Sequence, residues 1–309
     1  MPDVYLCVSI DCECDKGPEW RVTRPVAFSG VVEGIARRLQ PLFAARGAKP
    51  TYLLSGEILD DGPSVDALRG LVGDFELGTH LHGEFVEPGS FVPEITSAFQ
   101  RDYPPALERA KVTTLTQRFC DVFGRKPTSF RAGRFGIGPS SLPVLEDLEY
   151  VVDSSVTPHV DWTNKGTALS FVGSPTQPYH PDRGAPERPG DSRILEVPLT
   201  IRPRKLLSQL PGVGKYVEPR WLRPTWGTEE LLTELAIEEI DAARRFDPNR
   251  VVVLNAMLHN VEVVPGVSPY APDEDRARAI LKRLDSFLAF VQRQSIPVIG
   301  LTDVAELLR

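Results

Sequence analysis

His80 and His82 stand two residues apart at the end of a short apolar run that starts at Phe75, in a chain of 309 residues with only five histidines. An acidic cluster, Asp11, Glu13 and Asp15, interleaved with Cys12 and Cys14, ends an earlier apolar run. Neutral imidazole nitrogens and anionic carboxylate oxygens are the ligands of a hydrolytic metal site that keeps one coordination position for water. In an extended segment side chains alternate faces, so Asp11, Glu13 and Asp15 are expected to point one way and Cys12 and Cys14 the other. That argues against a Cys-x-Cys zinc clamp built together with the histidines. Glu84, four residues after His80, is a further candidate, so the residues alone leave Glu13, Asp15 and Glu84 open for completing the site.

The elements that must position these groups follow from periodicity. Val4 to Ile10 is apolar and β-branched and reads as a buried strand, with Asp11 on its end. Thr51 to Leu54, Phe75 to Thr79, Ser129 to Ala132, Tyr150 to Asp153, Ile194 to Ile201, Val251 to Leu254 and Ile296 to Ile299 are further strand-like runs. Helical patterns lie between them at Ser29 to Arg46, Ser64 to Leu71, Pro104 to Phe123, Ser140 to Leu148, Thr228 to Phe246, Asp273 to Gln294 and Thr302 to Leu308. Such alternation predicts a parallel α/β sheet, open or closed into a barrel. Ligands of these folds meet the C-terminal strand ends. Asp11, His80, His82, Arg131, Asp153 and His259 all fall there. Residues 157–193 show no period and are expected to form a long active-face insertion in a single domain spanning 1–309.

Composition narrows the function. The chain carries 42 acids against 35 bases, net −7, with no long basic run, so nucleic acid is not an expected partner. No stretch is long and apolar enough for membrane insertion. Met1 leads straight into a strand-like run with no basic or apolar leader, and the four cysteines form no spaced framework. A cytoplasmic protein with reduced thiols is expected. His159 and His180 lie in the irregular stretch and read as uninvolved in catalysis. Trp162, Tyr179, Trp221 and Trp226, in the loops at roughly 85–103 and 157–228, could stack on sugar rings, though each reads first as local packing.

The order and setting of these motifs resemble the NodB-homology polysaccharide deacetylases, carbohydrate esterase family four, from Val8 to Leu307. The most specific stretch runs from Gly124 to Gly136 and on through Leu145 to Ser155, similar to the family's third motif and its Asp-Ser-Ser strand. Asp11 to Pro18 resembles an Asp-x-Glu variant of the first motif, Glu76 to His82 a His-x-His variant of the second, and Met257 to His259 the last. The chain departs from the family's adjacent aspartates, from its histidines four apart, and from the Pro and aromatic that commonly stand where Gly133 and Arg134 do.

The resemblance implies a distorted (β/α) barrel of about seven parallel strands. It implies a divalent metal, zinc the expected ion, held by Glu13, His80 and His82. Asp11 would be the general base, aimed by Arg131. His259 would be the general acid, paired with Asp153, and a backbone N–H near Arg134 would steady the oxyanion. The implied reaction is removal of an N-acyl group, most simply acetyl, from an amino sugar or glycoconjugate. Alternative expectations are a deformylase or ureide or imide amidohydrolase on the same scaffold, or a non-catalytic carbohydrate-binding homologue that has lost its metal.

Overall fold

The computed structural model describes residues 3–22, 24–89, 99–203, 218–245 and 247–309. Seven strands form one sheet: β1 (Val4–Cys12), β2 (Thr51–Leu54), β3 (Glu76–Leu81), β4 (Ser129–Ala132), β5 (Val152–Asp153), β6 (Leu195–Glu196) and β7 (Val252–His259). Their order is β7-β1-β2-β3-β4-β5-β6, and every neighbouring pair is parallel. The sheet curls into a distorted barrel of the kind expected.

The curl does not close through a ladder between β6 and β7. Side chains and a loop span the gap instead. Gln177 Oε1 accepts from the Val253 N–H at 2.9 Å, and Thr200 Oγ1 accepts from that of Asn255 at 2.8 Å. The Thr200 N–H donates to the Asn255 carbonyl at 3.0 Å. These backbone groups of Val253 and Asn255 are thereby satisfied, as buried groups must be.

Alternation along the strands divides the barrel into an outer core and a graded interior. Leu6, Val8 and Ile10 pack outward with Ile35, Leu39, Phe119, Ile280 and Phe287 from the surrounding helices. Cys7, Leu53, Val152, Leu195 and Val253 face inward and are capped from below by Leu301 and Val304 of the helix Leu301–Leu307. Moving up β1, the inward positions pass from apolar Cys7 through Ser9 to Asp11. The apolar floor is thus beneath the polar site, and the floor carries the burial energy that holds the site's geometry.

The helices follow their sequence signals. Pro105–Phe123 ends at Gly124, which takes the left-handed conformation (φ 66°) that a residue without Cβ adopts at no cost. Glu229–Arg244 and Glu274–Arg293 start at Thr228 and Asp273, whose side chains accept from the N–H groups of Leu231 and Arg276. The expected strand Ile296 to Ile299 shrinks to a single bridge between Val298 and Leu6. Pro297 has no N–H to give a ladder, although its carbonyl accepts from Leu6. Within 157–193, Pro181–Asp182 and Ala185–Pro189 form a small antiparallel hairpin. Parts of the two loops expected to face substrate, 90–98 and 204–217, lie outside the described residues, as does Phe246. Among the described residues no helix is long and apolar enough to cross a membrane.

Candidate metal centre and active site

The register of the sheet gathers the polar residues. His80 lies opposite Arg131, and Asp11 lies opposite His259. All four are inward positions at the C-terminal ends of their strands. Glu13, His80 and His82 each offer one ligand atom, and the three atoms lie within 4.8 Å of one another, all buried. Glu13 Oε1 is 3.6 Å from His80 Nε2 and 3.2 Å from His82 Nε2.

The outer shell decides whether this donor set suits a cation. His80 Nδ1 is 3.0 Å from the Arg131 carbonyl, which only accepts. His82 Nδ1 is 3.3 Å from Glu84 Oε1, another acceptor. His80 therefore carries a proton on Nδ1, and a neutral ring then turns its Nε2 lone pair toward Glu13, while His82 Nδ1 lies between the Glu84 acceptor and the Arg134 Nη1 donor, 3.5 Å away. Two nitrogens and a carboxylate oxygen with oriented second partners fit a divalent ion. Burial alone would lower the His82 pKa, but Glu13 and Glu84 outweigh it and push it up to about 9 in the metal-free centre. Metal binding must displace that proton.

Glu13 is held on every side. Its N–H donates to Asn260 Oδ1 and its carbonyl accepts from Asn260 Nδ2, both at 3.0 Å. Lys16 Nζ is 2.7 Å from Glu13 Oε2. Burial opposes ionisation of Glu13, yet Lys16 and His82 hold its pKa well below the ordinary range. The other two candidates sit elsewhere. Asp15 accepts from the N–H groups of Ser29 and Gly30 at 2.9 and 2.8 Å and caps the helical run that begins there. Glu84 lies behind His82, 2.8 Å from Arg134 Nη2.

Asp11 is buried beside a fully buried guanidinium. Arg131 Nη1 donates to Asp11 Oδ1 at 2.5 Å, while its other donors reach the Ser154 carbonyl, Ser154 Oγ and Ser9 Oγ. Burial would raise the Asp11 pKa, but Arg131, His80 and His259 together lower it. Asp11 Oδ2 remains free to face the centre, 3.9 Å from both His80 Nε2 and His259 Nε2.

The pairing expected between His259 and Asp153 is replaced. Asp153 is in register with Phe130 and Glu196, not with Arg131, so alternation turns it away from the barrel interior. It accepts from Ser155 Oγ at 2.6 Å and lies against the Glu196 carboxyl. His259 instead meets Glu262, whose Oε1 is 2.7 Å from Nδ1. Glu262 is fully buried and also accepts from Arg223 and Thr225. These contacts outweigh burial and lower its pKa. The sequence signal was the His-x-x-Glu spacing of His259 and Glu262, which the turn Asn260–Val263 folds onto one side. On its other edge His259 leaves Nε2 3.7 Å from Glu13 Oε1.

Aromatic rings arc around the mouth. Trp20 packs edge-on against His259 with centroids 4.9 Å apart, and contacts lead on through Tyr270, Trp226, Trp221 and Phe135 to Trp162. Tyr179 is not among them; its hydroxyl donates to the Pro186 carbonyl. His180 Nδ1 faces the Ile194 carbonyl, and neither His159 nor His180 reaches the centre. Gly133 passes so close to β3 that a Cβ there would stand 2.3 Å from the Leu81 carbonyl oxygen. That approach sets the left-handed turn of Arg134 and Phe135 (φ 55° and 56°) beside His82.

No protein-family model matches the chain, and no curated protein matches it. Solved structures do. A Mycobacterium smegmatis protein named as a polysaccharide deacetylase is 16% identical, with TM-score 0.56 over 97% of this chain and 89% of that one. An allantoinase is 14% identical, with TM-score 0.57 over 98% and 89%. The fold is that of these two proteins. A GH57-type branching enzyme from Pyrococcus horikoshii, 10% identical with TM-score 0.56 over 99% of this chain and 71% of that one, shares it as well. One scaffold carries several chemistries, so function must be argued from the site.

Proposed function

We propose that the protein is a metal-dependent hydrolase that removes an N-acyl group, most simply acetyl, from an amino sugar or glycoconjugate. The observation that carries this reading is the convergence of Asp11 and His259 on the Glu13–His80–His82 cluster, each backed by a buried partner, Arg131 and Glu262. Glu13, His80 and His82 would hold the ion, and two nitrogens with one carboxylate oxygen favour zinc. When bound, such an ion makes water easier to deprotonate and polarises a carbonyl.

The chain's own groups supply the proton transfers. Asp11, kept ionised and aimed by Arg131, accepts the proton of the attacking water through Oδ2. His259 donates from Nε2 to the departing amine, and Glu262, 2.7 Å from Nδ1, orients the ring and stabilises the imidazolium. The turn at Arg134 and Phe135 supplies the backbone N–H proposed to steady the carbonyl oxygen. The four unpaired cysteines support a reducing, cytoplasmic setting.

A second reading, ureide hydrolysis, is favoured by the likeness to an allantoinase and uses the same groups on a different amide. The deciding experiment assays the zinc-loaded protein against N-acetylated and N-formylated amino sugars and against allantoin. Release of acetate with a free amine supports the first reading, and ring opening of allantoin the second. Stoichiometric metal with none of these turnovers would rule out both.

A further inference from the structure

A cavity of about 450 Å³ opens beside Glu13 and His82, and its wall holds four cations and two carboxylates: Lys16, Arg21, Arg24 and Arg134 against Glu13 and Glu84. The chain as a whole carries a net charge of −7. A cationic hollow at its candidate centre therefore runs against the charge of the protein. Glu13 pairs with Lys16 at 2.7 Å and Glu84 with Arg134 at 2.8 Å, and both carboxylates also face His82, at 3.2 and 3.3 Å. Lys16 is buried, and a cation is kept from water only at a cost. Arg21 and Arg24 are exposed at the rim. The contact of Arg21 with Glu19, 3.4 Å between side chains 82% and 72% exposed, does little to neutralise it. An ion held by Glu13 would share that carboxylate with Lys16 and leave the cavity more positive still.

We propose that this cavity receives an anionic group carried by the substrate, with phosphate as its chemistry, so that the amide cleaved belongs to a phosphorylated or nucleotide-linked amino sugar rather than a neutral one. Guanidinium groups match phosphate oxygens with paired donors, and a concave wall of one sign concentrates such ligands. Trp20, in the same wall and against His259, offers an apolar face for the sugar ring between the anion and the centre. The substrate's identity rests on the hydrolase reading; the anion site does not need turnover.

Calorimetric titration tests it, with N-acetylglucosamine, its 1-phosphate, its 6-phosphate and its uridine diphosphate conjugate as probes. Wild type and the Arg21→Ala/Arg24→Ala double variant are compared at low and high salt, with thermal melts to confirm folding. At least one phosphorylated probe should bind about tenfold or more tighter than the neutral sugar. Salt should shrink that advantage, and the double variant should reduce it to about threefold or less. The probe that binds best tells whether the phosphate is borne by the ring or by a nucleotide. Neutral sugar binding as tightly as all three, or a full advantage retained in the double variant, overturns the proposal. Hydrolysis by the zinc-loaded protein is followed in parallel. Tight, salt-sensitive binding with no turnover of any probe leaves the anion site standing and rejects amide hydrolysis. Turnover of the neutral sugar with no phosphate preference does the reverse.

Discussion

Asp11 and His259 are register partners across β1 and β7, and their side chains meet at the mouth of the barrel with Oδ2 and Nε2 3.9 Å apart. Parallel pairing puts the proposed base and acid on the same inward face with no loop to position them. Each is then fixed from behind by a charge of opposite sign: Arg131 for Asp11 and Glu262 for His259. Sites carried on strands hold such geometry more closely than sites on loops.

The first prediction separates chemistry from support at Asp11. Asp11→Asn keeps an oxygen to accept from Arg131 but cannot take a proton. It should retain metal and lose about 10²-fold in rate. Both variants leave the buried guanidinium without its anion, which costs about 3–5 kcal/mol, and Asp11→Ala loses the accepting oxygen as well. The melting temperature of Asp11→Ala should therefore fall below that of Asp11→Asn. Near-normal turnover by Asp11→Asn would remove Asp11 from the chemistry.

Metal binding is checked without any substrate. Replacing His80 and His82 together with Ala removes two of three donors from a pocket whose walls come from other strands. The double variant should fold and bind no stoichiometric zinc by elemental analysis. A full complement of metal in that variant would mean that the ion, where it binds, is held elsewhere.

Much of this arrangement was legible in the residues themselves. Asp11, His80 and His259 announce themselves because each ends an apolar run, and in a parallel sheet those ends share one face. Asp153 ends such a run too, yet it belongs to another surface. The register that pairs it with Phe130 is a property of the whole sheet and leaves no mark within Tyr150 to Asp153. Glu262 was missed for the opposite reason. Its contact with His259 is local, but it depends on a single turn at Asn260–Val263, too short to show a period. Asp15 looked like a third member of the acidic cluster, and only the helix beginning near Gly30 shows that its oxygens are spent on Ser29 and Gly30.

The third prediction concerns the Asp153–Glu196 pair. Burial, and then Asp153, raise the Glu196 pKa well above its ordinary value. The folded protein thus keeps a proton that the unfolded chain releases above about pH 4.3. Protons bound are fewer in the unfolded state, so stability falls as pH rises from that point. Glu196→Gln stays neutral at every pH and lacks this slope. The melting temperature of the variant, relative to wild type, should climb by about 2 °C or more between about pH 5 and 8. A flat difference across that range would show that the pair holds no shared proton.

The last prediction tests whether Glu262 acts through His259. Glu262 is also tied to Arg223 and Thr225, so a loss of activity alone would not distinguish positioning from simple support. Glu262→Gln preserves the shape and removes the charge that stabilises the imidazolium. It should lower kcat by about 10- to 10²-fold, leave KM within about threefold, and keep full metal content. His259→Ala should cost 10²-fold or more by removing the acid itself. Residues that act as one unit are not additive. Once His259 is gone, Glu262 has nothing left to orient, so the His259→Ala/Glu262→Gln double variant should be no slower than His259→Ala. If the two losses multiply instead, Glu262 supports the site by a route that bypasses His259, and the acid must be sought among the other groups facing the centre.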